Sequence, residues 1–255
     1  MASGFKDHFS ERSGLYATFR PVYPPALVEL LAGLCRSTNA AWDVGCGSGQ
    51  LSALLAQRFT HVFATDASAE QVAKARPVPG VLYSAAPAER SGLTDRSVDL
   101  VVAAQAAHWF DLPAFYAEVR RVSKPGGVVA LVCYEKCVID GGPIDAAVER
   151  LYSNVLGPYW PPERRHVETG YAQLPFPFDD IAAAERPVIE MSAVWTRDQL
   201  AGYLGTWSAV RAAEKAGVKD VLGGFNAELE RAWPDVEAAR PVVWPLSMRV
   251  GRVAG

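Results

Sequence analysis

Asp43, Gly45, Gly47 and Gly49 alternate at the end of a short apolar segment, in the run Asp43-Val44-Gly45-Cys46-Gly47-Ser48-Gly49. Glycines crowded between a strand and a helix let the main chain turn at dihedral angles other residues avoid, and let a ligand lie against bare backbone. The chemistry this suggests is the holding of a nucleoside cofactor. A dinucleotide fingerprint, G-x-G-x-x-G, would need glycine at position 50, where the chain has Gln50. A second acid, Asp66, closes the next β-prone segment. A carboxylate at such a strand tip is placed to accept hydrogen bonds from both hydroxyls of a ribose. The alternative is that Asp66 caps the following helix, although Ser68 can do that itself. His108 stands beside Trp109 after a long apolar run. It is a candidate base for an acceptor that carries a proton, or else a histidine that bonds a carbonyl and packs its loop. His166, in the run Glu163-Arg164-Arg165-His166, is a second candidate base or a solvated surface group.

The elements that must position these residues follow from periodicity. Residues 26–34 read as a helix with proline in its first turn. Strands are predicted at 41–44, 61–65, 81–84 and 98–104, with helices at 50–58 and 68–76 between them. The run 98–104 is almost unbroken in its apolar character, as expected of a parallel strand buried on both faces. A helix at 112–122 leads through Lys124-Pro125-Gly126-Gly127, read as a structural turn, into a fifth strand at 128–134. This alternation predicts an α/β fold with a doubly wound, mostly parallel sheet of seven strands. Three regions are expected: a core with an N-terminal lid (1–135), a cap rich in proline and aromatic residues inserted after the fifth strand (136–187), and C-terminal strands and helices completing the sheet (188–255). Within them a cap helix is predicted at 144–156, a sixth strand at 188–195, helices at 197–203, 208–216 and 223–232, and a closing strand at 242–253. Thr196 is the expected N-cap of the first of those three helices.

Half of the 255 residues are apolar and 21% are charged, a globular composition large enough for a substantial core. The formal charge of −3 argues against nucleic acid as the main partner and favours a small molecule. Cys35, Cys46, Cys133 and Cys137 lack metal-ligand spacing, and no carboxylate cluster stands near the fourth strand, so no metal is expected. The cysteines also suggest a reducing, cytoplasmic setting, and no apolar run is long enough to imply a membrane span.

With these pieces placed, the chain resembles the class I S-adenosylmethionine (SAM) dependent methyltransferases over nearly its whole length. The resemblance rests on the glycine loop 43–49, Asp66, Pro87-Ala88-Glu89, the strand 98–104 and the Lys-Pro-Gly-Gly turn, in that order. Two further segments, 16–24 and 105–111, are similar to a small-molecule subgroup that includes trans-aconitate methyltransferase-like enzymes. The resemblance implies SAM as cofactor, S-adenosylhomocysteine as product and a Rossmann-like methyltransferase sheet. It also implies that Gly45, Gly47 and Gly49 lie under the cofactor's methionine and ribose, that Asp66 holds the ribose, that Ala67 and the backbone around Ala88 border the adenine, and that Asp43 and Glu89 belong to the same cofactor site. Gln105 would face the methionine end, Arg20 would pair with its carboxylate and Tyr16 would close over it.

Methyl transfer from a sulfonium is an in-line displacement, so alignment in a dry pocket supplies much of the catalysis, roughly 7–11 kcal/mol. A base is needed only for acceptors protonated at neutral pH; a carboxylate needs none. Trp109, Tyr134, Tyr159, Trp160, Tyr171 and Trp207 are the aromatic residues expected to build an acceptor pocket. Arg164 and Arg165 either bind an anionic acceptor or pair with Glu163 and Glu168. The favoured acceptor atom is an oxygen of a small molecule, with nitrogen, carbon or sulfur as alternatives and a non-catalytic SAM-binding protein as the remote one. A nucleic-acid or protein amino-methyltransferase would carry an Asn/Asp-Pro-Pro-Tyr turn where this chain reads Gln105-Ala106-Ala107-His108.

Overall fold

The apolar run Val98–Ala104 is β4, at the centre of a seven-stranded sheet, and its first six residues are buried. The computed structural model describes residues 20–181 and 188–254. The other strands are β1 (Ala40–Val44), β2 (His61–Asp66), β3 (Val81–Ala85), β5 (Ser123–Tyr134), β6 (Asp179–Asp180) and β9 (Leu246–Arg252), in the order β3-β2-β1-β4-β5-β9-β6. The first five in that order are parallel, and β9 runs antiparallel between β5 and β6. The direction of winding reverses between β1 and β4. A crevice therefore opens beyond the carboxyl ends of those two strands, where open α/β sheets bind ligands.

Helices cover both faces. On one side Leu27, Val28 and Leu31 of α1 (Pro25–Leu34) join Ala41, Val62, Leu100 and Val128. On the other, Phe115, Val119 and Val122 of α4 (Leu112–Val122) join Trp42, Val101, Val129 and Leu131. Asp111 caps α4, accepting from the Ala114 N–H at 3.3 Å. The connecting helices α2 (Gln50–Leu55) and α3 (Ala69–Ala73) are shorter than the apolar pattern predicts.

Two expectations at the end of the chain are corrected. The strand expected at 188–195 is β7 (Met191–Thr196), and it leaves the main sheet to pair with β8 (Ala239–Trp244) in a separate two-stranded sheet. The expected closing strand 242–253 is cut at Pro245, the residue between β8 and β9. Proline has no N–H to give to a ladder, so the chain changes sheets there. The seventh place is filled instead by β6, from the region read as cap. Thr196 does cap the next helix, α7 (Arg197–Gly205), in a reciprocal box with Gln199. The cap helix expected at 144–156 is an α-helix, α5 (Pro143–Glu149), that loosens into a π-helix over Arg150–Val155. The Leu156 N–H reaches the Leu151 carbonyl, five residues back, at 2.9 Å.

Lys124 has the structural role expected of its turn, though the turn lies within β5. Its ammonium is 2.8 Å from both oxygens of Asp99, which also accepts from Ser37 Oγ and the N–H groups of Asn39 and Ala40. A second polar knot joins Glu118 to Arg121, to the Ser91 hydroxyl and to the Ser91 N–H. These partners, Arg121 foremost, hold the Glu118 carboxyl at about 2. A depressed carboxyl pKa stabilises the fold fully above the unfolded value and ceases to do so as pH falls through the folded value. Glu118→Gln is expected to lower stability by about 1–3 kcal/mol at neutral pH. In urea unfolding, the gap from the parent should close as pH falls from the ordinary carboxyl value of 4.5 toward about 2.

Candidate active site

The loop after β1 is drawn over the end of β2, because the N–H groups of Gly45 and Cys46 both donate to the Thr65 carbonyl, at 2.7 and 3.0 Å. Gly45 has φ of +69°, and a Cβ there would lie 2.5 Å from Ala106 Cβ. The loops after β1 and β4 thus touch at a point that only glycine allows. Gly49 shares that left-handed backbone, with φ of +83°, and a Cβ there would also lie 2.5 Å from the Tyr83 hydroxyl. It makes room for that ring and does not line the cavity described next, unlike Gly45 and Gly47. Asp43 is buried and accepts from Ser52 Oγ at 2.6 Å. Burial, opposed by that bond and reinforced by the charge of Asp66, pushes its carboxyl up to about 7.

A cavity of about 1050 Å³ fills the crevice at the β1–β4 switch point. Asp43, Gly45, Gly47, Asp66, Ala67, Ala88, Glu89, Gln105 and Arg20 all line it. Asp66 accepts from the Gly47 N–H at 2.9 Å and the Ser68 N–H at 2.8 Å. Ser68 caps α3 with its own hydroxyl, accepting from Gln71, so the helix does not depend on Asp66. Glu89 accepts from the Asp111 N–H at 2.9 Å and ties two loops of the rim together. Gln105, with φ of +57°, turns its amide onto the main chain of Tyr134, accepting at 2.9 Å and donating at 3.2 Å. Arg20 donates to the Tyr134 hydroxyl at 2.8 Å. Tyr16 lies outside the described residues.

A recess of about 60 Å³ adjoins the cavity and shares Arg20, Gln105, Trp109, Tyr134, Pro161 and Ser208 with it. His108, Trp160, Arg164, Tyr203 and Trp207 complete its wall. The π-helix supports this wall from behind. Tyr152 packs against Trp160 with ring centroids 4.7 Å apart, and its hydroxyl accepts from Arg164 Nε at 3.0 Å. The guanidinium of Arg164 stands 5.1 Å from the Trp160 ring centre. Arg164 is bonded to Tyr152, whose hydroxyl contacts Glu168, and among the described residues it has no ion pair with Glu163 or Glu168.

Five of the six aromatic residues expected around the acceptor face this space: Trp109, Tyr134, Trp160 and Trp207 in the recess, and Tyr159 in the main cavity. Tyr171 does not. It is wholly buried, with its hydroxyl 2.7 Å from His108 Nδ1. His166 lies on α6 (Arg164–Glu168) and is not among the residues that line either space. His108 does line the recess, but burial, with the charges of Arg164 and His166, lowers its pKa to about 3. Sequence reasoning missed Tyr203 and Ser208. Their helices reach the recess only through tertiary packing, and no local pattern marks them.

The lining fits a nucleoside carrying an amino-acid tail. A carboxylate stands at the tip of β2, and bare backbone adjoins it at Gly47, where a Cβ would meet nothing within 4 Å. The Arg20 guanidinium also lines the cavity. Sheet order, switch-point cavity and glycine loop define a nucleoside-cofactor-binding α/β enzyme of the Rossmann-like kind. Residues 42–131 match the methyltransferase domain family. A methyltransferase of Dictyostelium discoideum is 34% identical over 233 residues, covering 90% of this chain and 87% of its own. A solved structure from Anaeromyxobacter dehalogenans, described as a type II methyltransferase, is 46% identical with a TM-score of 0.85, over 92% of this chain and 99% of that one. A malonyl-[acyl-carrier protein] O-methyltransferase of Pectobacterium atrosepticum is 34% identical over 125 residues, 48% of this chain and 49% of its own. The chain belongs to the SAM-dependent methyltransferases. Among the described residues, no helix is long and apolar enough to cross a membrane.

Proposed function

We propose that the chain methylates a carboxylate oxygen of a small-molecule acid seated in the aromatic recess. The observation that carries this reading is Arg164: a guanidinium set against Trp160 and Tyr152, in a wall that holds no acidic side chain among the described residues. Guanidinium matches a carboxylate in two-point geometry, and a small site walled by indole and phenol rings strengthens that pairing. The name of the Pectobacterium relative supports oxygen as the acceptor atom. The similarity of segments 16–24 and 105–111 to trans-aconitate methyltransferase-like enzymes supports an acid.

Bound SAM supplies an electrophilic methyl group: the acceptor oxygen's electron pair forms the new C–O bond as the C–S pair returns to sulfur. The chain's own task is to hold and align the two partners. Asp66 would hold the ribose, Gly45 and Gly47 would let the cofactor lie on the main chain, and Ala67, Ala88 and Glu89 would border the adenine. Arg20, at the junction of cavity and recess, would take the cofactor's carboxylate and leave Arg164 for the acceptor. Trp109, Tyr134, Tyr159, Trp160 and Trp207 would exclude water. No proton has to be removed from a carboxylate, so no base is required.

The test is methyl transfer from isotopically labelled SAM to mono- and dicarboxylic acids, compared with alcohols, phenols and amines of the same skeleton. Base-labile methyl esters are expected. Methylation of amines or alcohols alone would overturn the reading. Arg164→Met should raise the KM for the acid about 30- to 150-fold, because a charged hydrogen bond of about 2–3 kcal/mol is lost. Affinity for S-adenosylhomocysteine should stay unchanged.

A further inference from the structure

We propose that Tyr171 locks His108 in its neutral Nε2–H tautomer, making His108 a hydrogen-bond donor to the acceptor and not a proton-abstracting base. The donor role rests on the acid reading above; the lock itself does not. Tyr171 is completely buried, so its phenolic hydrogen needs an acceptor within the protein. Among the described residues the side chain placed to accept it is His108, with Nδ1 at 2.7 Å. If Nδ1 accepts, the single proton of a neutral imidazole is on Nε2. The ring is otherwise fixed by Trp109, whose centroid is 4.7 Å away. The groups that act on its charge are Arg164 and His166, both of which disfavour a second proton.

His108 lines the recess, and its Nε2 has no hydrogen-bond partner among the described residues. An N–H directed there suits one oxygen of a carboxylate and leaves the other oxygen for methylation. Being neutral, it draws less electron density from the acceptor than an imidazolium would. Toward an alcohol or phenol the same nitrogen cannot take the proton, since it already carries one. The lock therefore selects for acceptors that arrive deprotonated. Tyr171 is a positioning residue and His108 a specificity-determining one.

Two measurements test this. Two-bond ¹H–¹⁵N correlation of the labelled protein should show His108 protonated at Nε2 alone, unchanged between about pH 6 and 8. Tyr171→Phe should give a mixture of tautomers. A wild-type spectrum with the proton on Nδ1, or on both nitrogens, would overturn the lock whether or not that variant folds. Separately, acetate, succinate and benzoate are titrated into the S-adenosylhomocysteine complex. His108→Gln, which keeps an N–H near the Nε2 position, should bind within about threefold of wild type, and His108→Phe about tenfold or more weaker. Equal binding by all three proteins would overturn the donor role. No binding of any of these acids by wild type would overturn the acid reading and the donor role together, while the spectrum still decides the lock.

Discussion

Replacement of Asp66 by alanine is expected to weaken S-adenosylhomocysteine binding by about 100-fold or more, with little change in thermal stability. Two charge-assisted hydrogen bonds to a ribose diol contribute roughly 1.5–3 kcal/mol each. The carboxylate also fixes the Gly47 and Ser68 N–H groups, so its removal loosens the loop on which the cofactor would lie. The fold should tolerate the change because Ser68 caps α3 unaided and Asp66 is only half-buried. Asp66→Asn keeps one acceptor oxygen and should lose about tenfold. Isothermal titration of the three proteins, with NAD as control, decides the matter. Affinity within about threefold in the alanine variant would remove Asp66 from the ribose and return it to loop structure.

Gly45→Val should damage fold and binding together, costing about 2–5 kcal/mol. Two terms add. A β-branched residue at φ of +69° carries left-handed strain of about 1–2 kcal/mol, and overpacking adds about 1–3 kcal/mol. The contact that enforces the second term is specific: the new Cβ would stand 2.5 Å from Ala106 Cβ. A double-mutant cycle separates the two. Gly45→Ala alone should show both, and Gly45→Ala with Ala106→Gly should recover the steric part and keep the strain. Denaturant midpoints give the stability, and S-adenosylhomocysteine titration shows whether the loop still binds. No recovery in the double variant would mean that strain alone makes glycine necessary.

Local sequence determined the elements whose pattern is self-contained. β4 is legible because a strand buried on both faces must be apolar throughout, and α4 because its stripe and its cap agree. The glycine loop and Asp66 were legible because a tight turn and a strand-tip carboxylate are local needs, met by residues close together in sequence. Ser68 and Thr196 cap their helices as their residue types require.

Tertiary structure alone decided what depends on distant partners. The residues at 188–195 form a strand, as their alternation requires, but which sheet receives it turned on Pro245, some fifty residues later, and β6 is too short to leave any pattern. Gly49 looked like its two neighbours in the loop until Tyr83 was placed against it. The six aromatic residues named for the acceptor pocket were separated in the same way. Five face the cavity or the recess and Tyr171 lies behind His108, a difference set by packing between segments that sequence spacing does not record. The chain announces a nucleoside cofactor because the glycine loop and the strand-tip acid that signal one stand close together in sequence. The aromatic recess is not legible in the same way, because its wall brings together His108 and Trp109 after β4, Trp160 and Arg164, and the C-terminal Tyr203, Trp207 and Ser208, which meet only in the folded state.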